Sequence, residues 1–172
     1  MIKVAVCDDD RCFAQKLTAL LNSYAAEHGE EFQITVFADA PSFLSSAVEL
    51  YDAVFLDVCI GNDNGMDVAK TLRQRSPEGV LVFVSSYLEF ATQGYQLEAM
   101  DYLLKNDLEQ LFPLCIQRGL KKLKAPAKMF SFRTTSGVDA VCRLSLIHIS
   151  PFAVYHSKGG AKMQSFGAQS RA

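Results

Sequence analysis

Residues 53–75 read AVFLDVCIGNDNGMDVAKTLRQR. The stretch 53–58 is apolar apart from Asp57, short, and followed by turn formers, which predicts a buried strand. The loop 61–65 supplies Gly, Asn and Asp, residues that favour turns. A helix is predicted from Met66 to Arg75. One strand, one loop and one helix thus follow in order, with a carboxylate at the strand's end.

The same unit recurs in both directions. Downstream, 80–84 reads as a strand followed by a helix near 88–95, and 100–104 as a strand followed by a helix from about 107 to 124. Upstream, 2–7 is an apolar, β-branched run. Phe13, Leu17, Leu20, Leu21 and Tyr24 then share one helical face, with Asp10 as N-cap and Gly29 as stop. Residues 32–37 form the next strand, and Pro41 opens a helix through Leu50, where a proline in the first turn costs little. Five strands alternating with five helices predict an α/β fold, a doubly wound five-stranded parallel sheet covered on both faces.

In such a sheet, ligands gather outside the carboxyl ends of the strands. The first strand ends in Asp8 and Asp9, the third in Asp57, the fourth in Ser85 and the fifth in Lys105. Five polar groups at four strand ends are expected to converge on one pocket. Two carboxylates about 4 Å apart repel by roughly 4 kcal/mol at an effective dielectric near 20. A Mg²⁺ ion relieves that repulsion, typically binding one or two carboxylates and keeping several waters. Helix capping by Asp8–Asp10 and solvation of Asp57 would explain one acidic cluster, but not a matching Asp, Ser and Lys at three other strand ends.

Composition narrows the setting. The chain has 172 residues, 49% of them hydrophobic, enough for one domain and a fragment or for two very small domains. No apolar run approaches the ~18 residues of a transmembrane helix, so no membrane role is expected. The opening MIKVAVCDDD lacks a signal-peptide stretch, and five cysteines without a CxxC pair suit reduced thiols; both point to the cytoplasm. Residues 1–116 hold 7 Lys and Arg against 18 Asp and Glu, whereas 117–172 hold 10 against the single Asp139. That asymmetry predicts two functional segments, the basic one suited either to nucleic acid or to plain solvation. No GxxxxGK[ST] phosphate loop is present, and Asp57-Val58-Cys59 lacks the second acid of a DxD phosphatase motif. His28, His148 and His156 are scattered. Phe13, Leu17 and Leu21 are read as core, Cys7 and Cys59 as packing residues, and Lys121, Lys122 and Lys124 as a solvated helix end favoured by the helix dipole.

Taken together, VAVCDDD (4–10), VFLDVCIGNDNGMDVAKTLR (54–73), VFVSSY (82–87) and AMDYLLKN (99–106) resemble the receiver domain of two-component response regulators, over essentially all of residues 1–122. The resemblance implies a flavodoxin-like receiver fold and a regulatory domain rather than a metabolic enzyme. It implies Asp57 as phosphoacceptor for a sensor histidine kinase, and Mg²⁺ held by Asp8, Asp9, Asp57 and the backbone carbonyl of Cys59. Ser85 and Tyr102 resemble the hydroxyl and the aromatic residue of the activation switch, and Lys105 the lysine that pairs with phosphoryl oxygens. A homodimer through the face of the fourth helix, fifth strand and fifth helix is a further implied partner. Asn106 departs from the proline usual after the lysine.

Residues 123–128 are read as a linker, being basic and containing Pro126. Beyond it, 129–135 and 138–144 flank a Ser136–Gly137 turn and predict a β-hairpin. The stretch 85–106, and then FSFRTTSGVDAVCRLS (130–145), resemble regulators carrying a LytTR DNA-binding domain. Residues 129–172 would be a truncated, β-rich or disordered piece of it, poorly folded beyond 145, so DNA is expected as partner of the full-length family rather than of this chain. Two other readings stay open: a metal-dependent phosphohydrolase using the same acids, and a receiver-only interaction module or phosphate sink.

Overall fold

In the computed structural model the alternation becomes a parallel sheet of β1 (Ile2–Cys7), β2 (Phe32–Phe37), β3 (Ala53–Leu56), β4 (Val80–Ser85) and β5 (Asp101–Leu104). Their spatial order is β2-β1-β3-β4-β5, with every neighbouring pair parallel. The structure describes residues 1–125 throughout and, of the remainder, the strands 128–133 and 139–144. Met1–Ala125 form one compact unit, Pro126–Ala172 a second.

Period-two alternation explains why both faces of the sheet are covered. Val4, Val6, Phe55, Val80 and Val82 point to one side, where Leu17 and Leu21 of α1 (Arg11–His28) and Phe112 and Ile116 of α5 (Leu108–Lys124) join them in one buried cluster. Ala5, Cys7, Val54, Leu56, Leu81 and Phe83 point to the other. There they meet Phe43 of α2 (Ala40–Ser45) and Met66 and Leu72 of α3 (Gly65–Arg75), with the elements flanking α4 (Ala91–Gln96) packed alongside.

The ends of α1 follow the sequence reading. Asp10 accepts hydrogen bonds from the amides of Cys12 (2.9 Å) and Phe13 (3.1 Å), and Gly29 closes the helix at φ 66°. Other boundaries differ. The strand expected over 53–58 ends at Leu56, where the chain leaves the sheet toward the site. The helix expected over 41–50 stops at Ser45 and resumes only as a 3₁₀ turn, Val48–Leu50. Ser46 is extended, and both its amide and its hydroxyl donate to the Phe43 carbonyl (3.0 and 2.6 Å), which competes with helical continuation. The fourth helix starts at Ala91, not near Leu88, because Tyr87 on the way into it is engaged by Ser85 and Tyr102. Finally, α5 runs through Lys124 with Leu123 packed on the core, and a strand begins at Lys128, so both ends of the expected linker 123–128 lie in regular structure.

In the second unit, β6 (Lys128–Arg133) and β7 (Asp139–Leu144) pair antiparallel, with Met129 opposite Arg143 and Phe132 opposite Ala140. The Ser136–Gly137 turn and residues 145–172 lie outside the described residues.

Candidate functional site

Register builds the acidic site. Cys7 of β1 pairs with Leu56 of β3, so Asp8 and Asp57 emerge side by side where the two strands end. The Asp57 amide donates to the Cys7 carbonyl at 2.9 Å, locking the two chain exits together. Since β1 also pairs with β2, this gap is where the strand order reverses, the place at which doubly wound sheets bind ligands. Ser85 of β4 pairs with Leu104 of β5, which puts Lys105 just past the edge of the same sheet end.

Asp57 is 6% exposed and Asp8 3%; Asp9 is exposed. One carboxylate oxygen from each of the three lies within 4.8 Å of the others. The Lys105 ammonium reaches into this group, with Nζ 2.7 Å from Asp8 Oδ2 and 2.7 Å from Asp57 Oδ2. Of the other oxygens, Asp8 Oδ1 accepts from the Asp10 amide (2.9 Å) and Asp57 Oδ1 from the Cys59 amide (3.2 Å). Nζ also stands 4.5 Å above the centre of the Phe13 ring.

The charges pull in opposite directions. Burial pushes the Asp8 carboxyl above its usual range, and its bonds from Lys105 and the Asp10 amide offset this only in part. Burial alone would depress the Lys105 ammonium, but the bonds to Asp57 and Asp8 hold it above the ordinary lysine value. These directions agree with two buried carboxylates sharing one ammonium: the lysine has a surplus of partners, Asp8 a deficit. The thiols beside the acids stay protonated. Cys7 is pushed up to about 12 by burial and by Asp39, Asp8 and Asp57. Cys59 is raised by partial desolvation and Asp57, but its side chain is exposed at the mouth of the site and not packed as the sequence predicts. All-oxygen donors at this spacing, short of positive charge, fit Mg²⁺ as the sequence reading expects.

Ser85 is wholly buried; its oxygen accepts from the Tyr87 amide (3.3 Å), and its hydroxyl also bonds the Tyr102 phenol. The Tyr102 hydroxyl donates to the Tyr87 carbonyl, and its phenol is raised above the ordinary tyrosine value, first by burial. The Tyr102 ring packs on Phe83 at 6.1 Å between centres, close under Gly94, where an added Cβ would lie 3.1 Å from Phe83 Cδ2 and 3.3 Å from Tyr102 Cδ2. Asp8, Asp9, Asp57 and Lys105 therefore come together, while Ser85 and Tyr102 form an adjoining pair around Tyr87. Asn106 sits in a 3₁₀ turn, Lys105–Asp107, that leads directly into α5.

Three participants escaped the sequence reading. Gly65 opens α3, and a Cβ there would sit 2.0 Å from the Asp57 carbonyl oxygen; the Asn-Gly pair before an amphipathic helix was the available signal. Arg73 of α3 donates to four carbonyls, those of Leu97 (2.9 Å), Glu98 (2.9 Å), Gly79 (2.8 Å) and Pro77 (3.3 Å). Nothing in the sequence separates it from an ordinary basic residue near a helix end. Phe13, read as core, is half-buried and also floors the lysine.

The chain matches the family described as response regulator receiver domain over residues 4–114. It is 29% identical over 134 residues to sensory transduction protein LytT of Bacillus anthracis, covering 75% of this chain and 51% of that protein. It is 25% identical over 171 residues to sensory transduction protein LytR of Streptococcus agalactiae serotype V, covering 98% of this chain and 66% of that one. The chain thus spans about half the length of the LytT relative. Among solved structures, the response regulatory domain of protein mrkE from Klebsiella pneumoniae superposes with a TM-score of 0.62 at 26% identity, over 72% of this chain and 98% of that one. Among the described residues no helix is long and apolar enough to cross a membrane. The parallel order 2-1-3-4-5, the acids at its switch point and the match over residues 4–114 agree: this chain belongs to the response regulator receiver domain family.

Proposed function

We propose that this chain is a phosphorylation-controlled switch of a two-component system, located in the cytoplasm, with Asp57 as the phosphoacceptor. One observation carries the reading: Asp57 stands almost fully buried at the β1/β3 switch point, 2.7 Å from the Lys105 ammonium and within 4.8 Å of Asp8 and Asp9 oxygens. An Asp57 oxygen attacks the phosphorus of a phosphohistidine on a sensor kinase; the new P–O bond forms as the P–N bond to the kinase imidazole breaks. Asp8, Asp9, Asp57 and the Cys59 carbonyl would hold Mg²⁺, which neutralises charge on the transferring oxygens. Lys105 turns its ammonium from a carboxylate oxygen to a phosphoryl oxygen. The Ser85 hydroxyl donates to another.

Ser85 and Tyr102 share Tyr87, so a shift of one is felt by the other and alters the face of α4, β5 and α5. That face exposes Leu88, Tyr95, Leu111 and Leu114, and a second copy of the chain is its proposed occupant. Sedimentation before and after phosphorylation reads this; a monomer in both states removes it. Residues 1–122 are the proposed receiver and 129–172 the opening part of a LytTR-like segment. Control of transcription through DNA belongs, on this reading, to the full-length regulator.

Intact-mass analysis after incubation with a small acyl phosphate and Mg²⁺ tests the proposal. One phosphoryl group should be gained, and Asp57→Asn should abolish the gain. Undiminished labelling of the Asn variant, or steady turnover of the phosphodonor without a labelled protein, would overturn it.

A further inference from the structure

Lys105 brings one ammonium among partners of two kinds. Asp8 and Asp57 accept from it at 2.7 Å each, and the Phe13 ring lies beneath Nζ, 4.5 Å from the ring centre. An ammonium has three N–H donors; the carboxylates occupy two, and the ring face provides for the remaining positive edge. The Lys105 side chain is only 14% exposed, so little water competes for the ring. A cation desolvated over an aromatic face is drawn to the ring's negative quadrupole.

The ring is also rigidly placed. The Phe13 amide donates to Asp10 Oδ1 at the start of α1, and the ring packs against the core cluster that includes Leu17 and Phe112. It therefore sits in the first turn of α1, directly after the loop that carries Asp8 and Asp9. The two kinds of contact respond differently to a divalent cation. Asp8 oxygens engaged by a metal are withdrawn from Lys105, whereas a neutral ring loses nothing.

We propose that Phe13 is a positioning residue for Lys105, a neutral platform that keeps the ammonium aimed at Asp57 once Asp8 is engaged by a divalent cation. The consequence for phosphoryl transfer rests on the reading of Asp57 as phosphoacceptor; the platform itself does not.

The test uses the full chain labelled with ¹³C-lysine, as wild type and as Phe13→Leu, Phe13→Met and Phe13→Tyr, with Lys105→Arg to assign the Lys105 signal. Ring stacking should move the Lys105 ε-methylene protons upfield of the other lysines, with and without Mg²⁺. Phe13→Leu and the volume-conserving Phe13→Met should return them to the common position, and Phe13→Tyr should keep them shifted. With an acyl phosphate and Mg²⁺, Asp57 labelling should slow about tenfold in the Leu and Met variants and recover to within about twofold in Tyr. No shifted lysine signal in the wild type, or one that survives Phe13→Leu and Phe13→Met, overturns the platform. A lost shift with unchanged labelling rate overturns the positioning role. A wild type that shows the shifted signal but accepts no phosphoryl group upholds the platform and sinks the phosphoacceptor reading instead.

Discussion

Gly65 approaches Asp57 so closely that a Cβ on it would lie 2.0 Å from the Asp57 carbonyl oxygen and 2.9 Å from the Val58 Cα. The amide of Gly65 donates to the Val58 carbonyl at 2.7 Å, so α3 begins pressed against the end of β3. Both atoms crowding the missing Cβ are backbone, and neither can swing away as a side chain would.

Gly65→Ala should therefore move the acceptor without touching its carboxylate. Overpacking of this kind costs about 1–3 kcal/mol. We expect that loss in urea unfolding, together with Asp57 labelling slowed well beyond the wild type even where the variant is fully folded. Wild-type stability and labelling in Gly65→Ala would show that the loop 61–65 yields.

Asp8 links stability to charge. Its folded pKa is raised by burial, so proton binding favours the folded state. That contribution is complete below the unfolded carboxylate value of about 3.9 and is lost as pH rises through the folded one. Above it, ionised Asp8 works against folding. Lys105, also raised, loses its contribution only above the ordinary lysine range and leaves this window alone. In chelator at neutral pH, Asp8→Asn should thus be at least as stable as wild type, with the advantage vanishing below about pH 4. Mg²⁺ at a hundredfold excess over its Kd should add about 2.7 kcal/mol to wild type and less than half of that to Asp8→Asn. Thermal unfolding across pH, with and without Mg²⁺, measures both; equal Mg²⁺ responses would take Asp8 out of the metal site.

Strands and charged strand ends were legible because each is decided locally. The apolar runs of β1 and β2 leave no other period, and Asp10 and Gly29 cap α1 through contacts within a few residues. What escaped depends on partners distant in sequence or on competition between near-equal local choices. Ser46 turns the chain out of α2 by two bonds to Phe43 that no periodicity shows. Phe13 fits the core pattern of α1, yet its second role needs Lys105, ninety-two positions away. Lys105 was readable as a polar group at the end of an apolar strand, converging on the acids; which carboxylate oxygens it bonds depends on the register of the strands.

Tyr102 and Ser85 meet at Tyr87, one through its carbonyl and the other through its amide. Tyr102→Phe removes one donor and should loosen the loop 86–90 by about 0.5–1.5 kcal/mol, read as faster amide exchange there and not in β1 or β3. Ser85→Ala should still accept phosphate on Asp57 but lose most of the exchange response over 86–107 that phosphorylation evokes in wild type. An undiminished response in Ser85→Ala would cut the proposed coupling between the site and the α4–β5–α5 face.

Arg73 decides how firmly that face is held. Its guanidinium spans the end of α3, the loop before β4 and the turn after α4, donating to Pro77, Gly79, Leu97 and Glu98. Glu98 adopts φ 54°, a left-handed conformation that a non-glycine residue holds only when its surroundings impose it. The Nη2 bond to the Glu98 carbonyl is such an imposition, and the planar fork makes it together with the bonds to Leu97 and Gly79. A lysine has the charge but not the fork, so it can satisfy only part of this set. Arg73→Lys should cost about 1.5–3 kcal/mol, the scale of hydrogen bonds to a charged group. The loss should be concentrated locally: amides 97–99 should exchange faster while those of β1 and β3 follow global stability. A compensating Glu98→Gly exchange, which removes the strain that Arg73 restrains, should recover part of the loss in Arg73→Lys and little in wild type. Additive effects of the two substitutions would show that Arg73 and the Glu98 backbone are not coupled and that the turn is held by α4 alone.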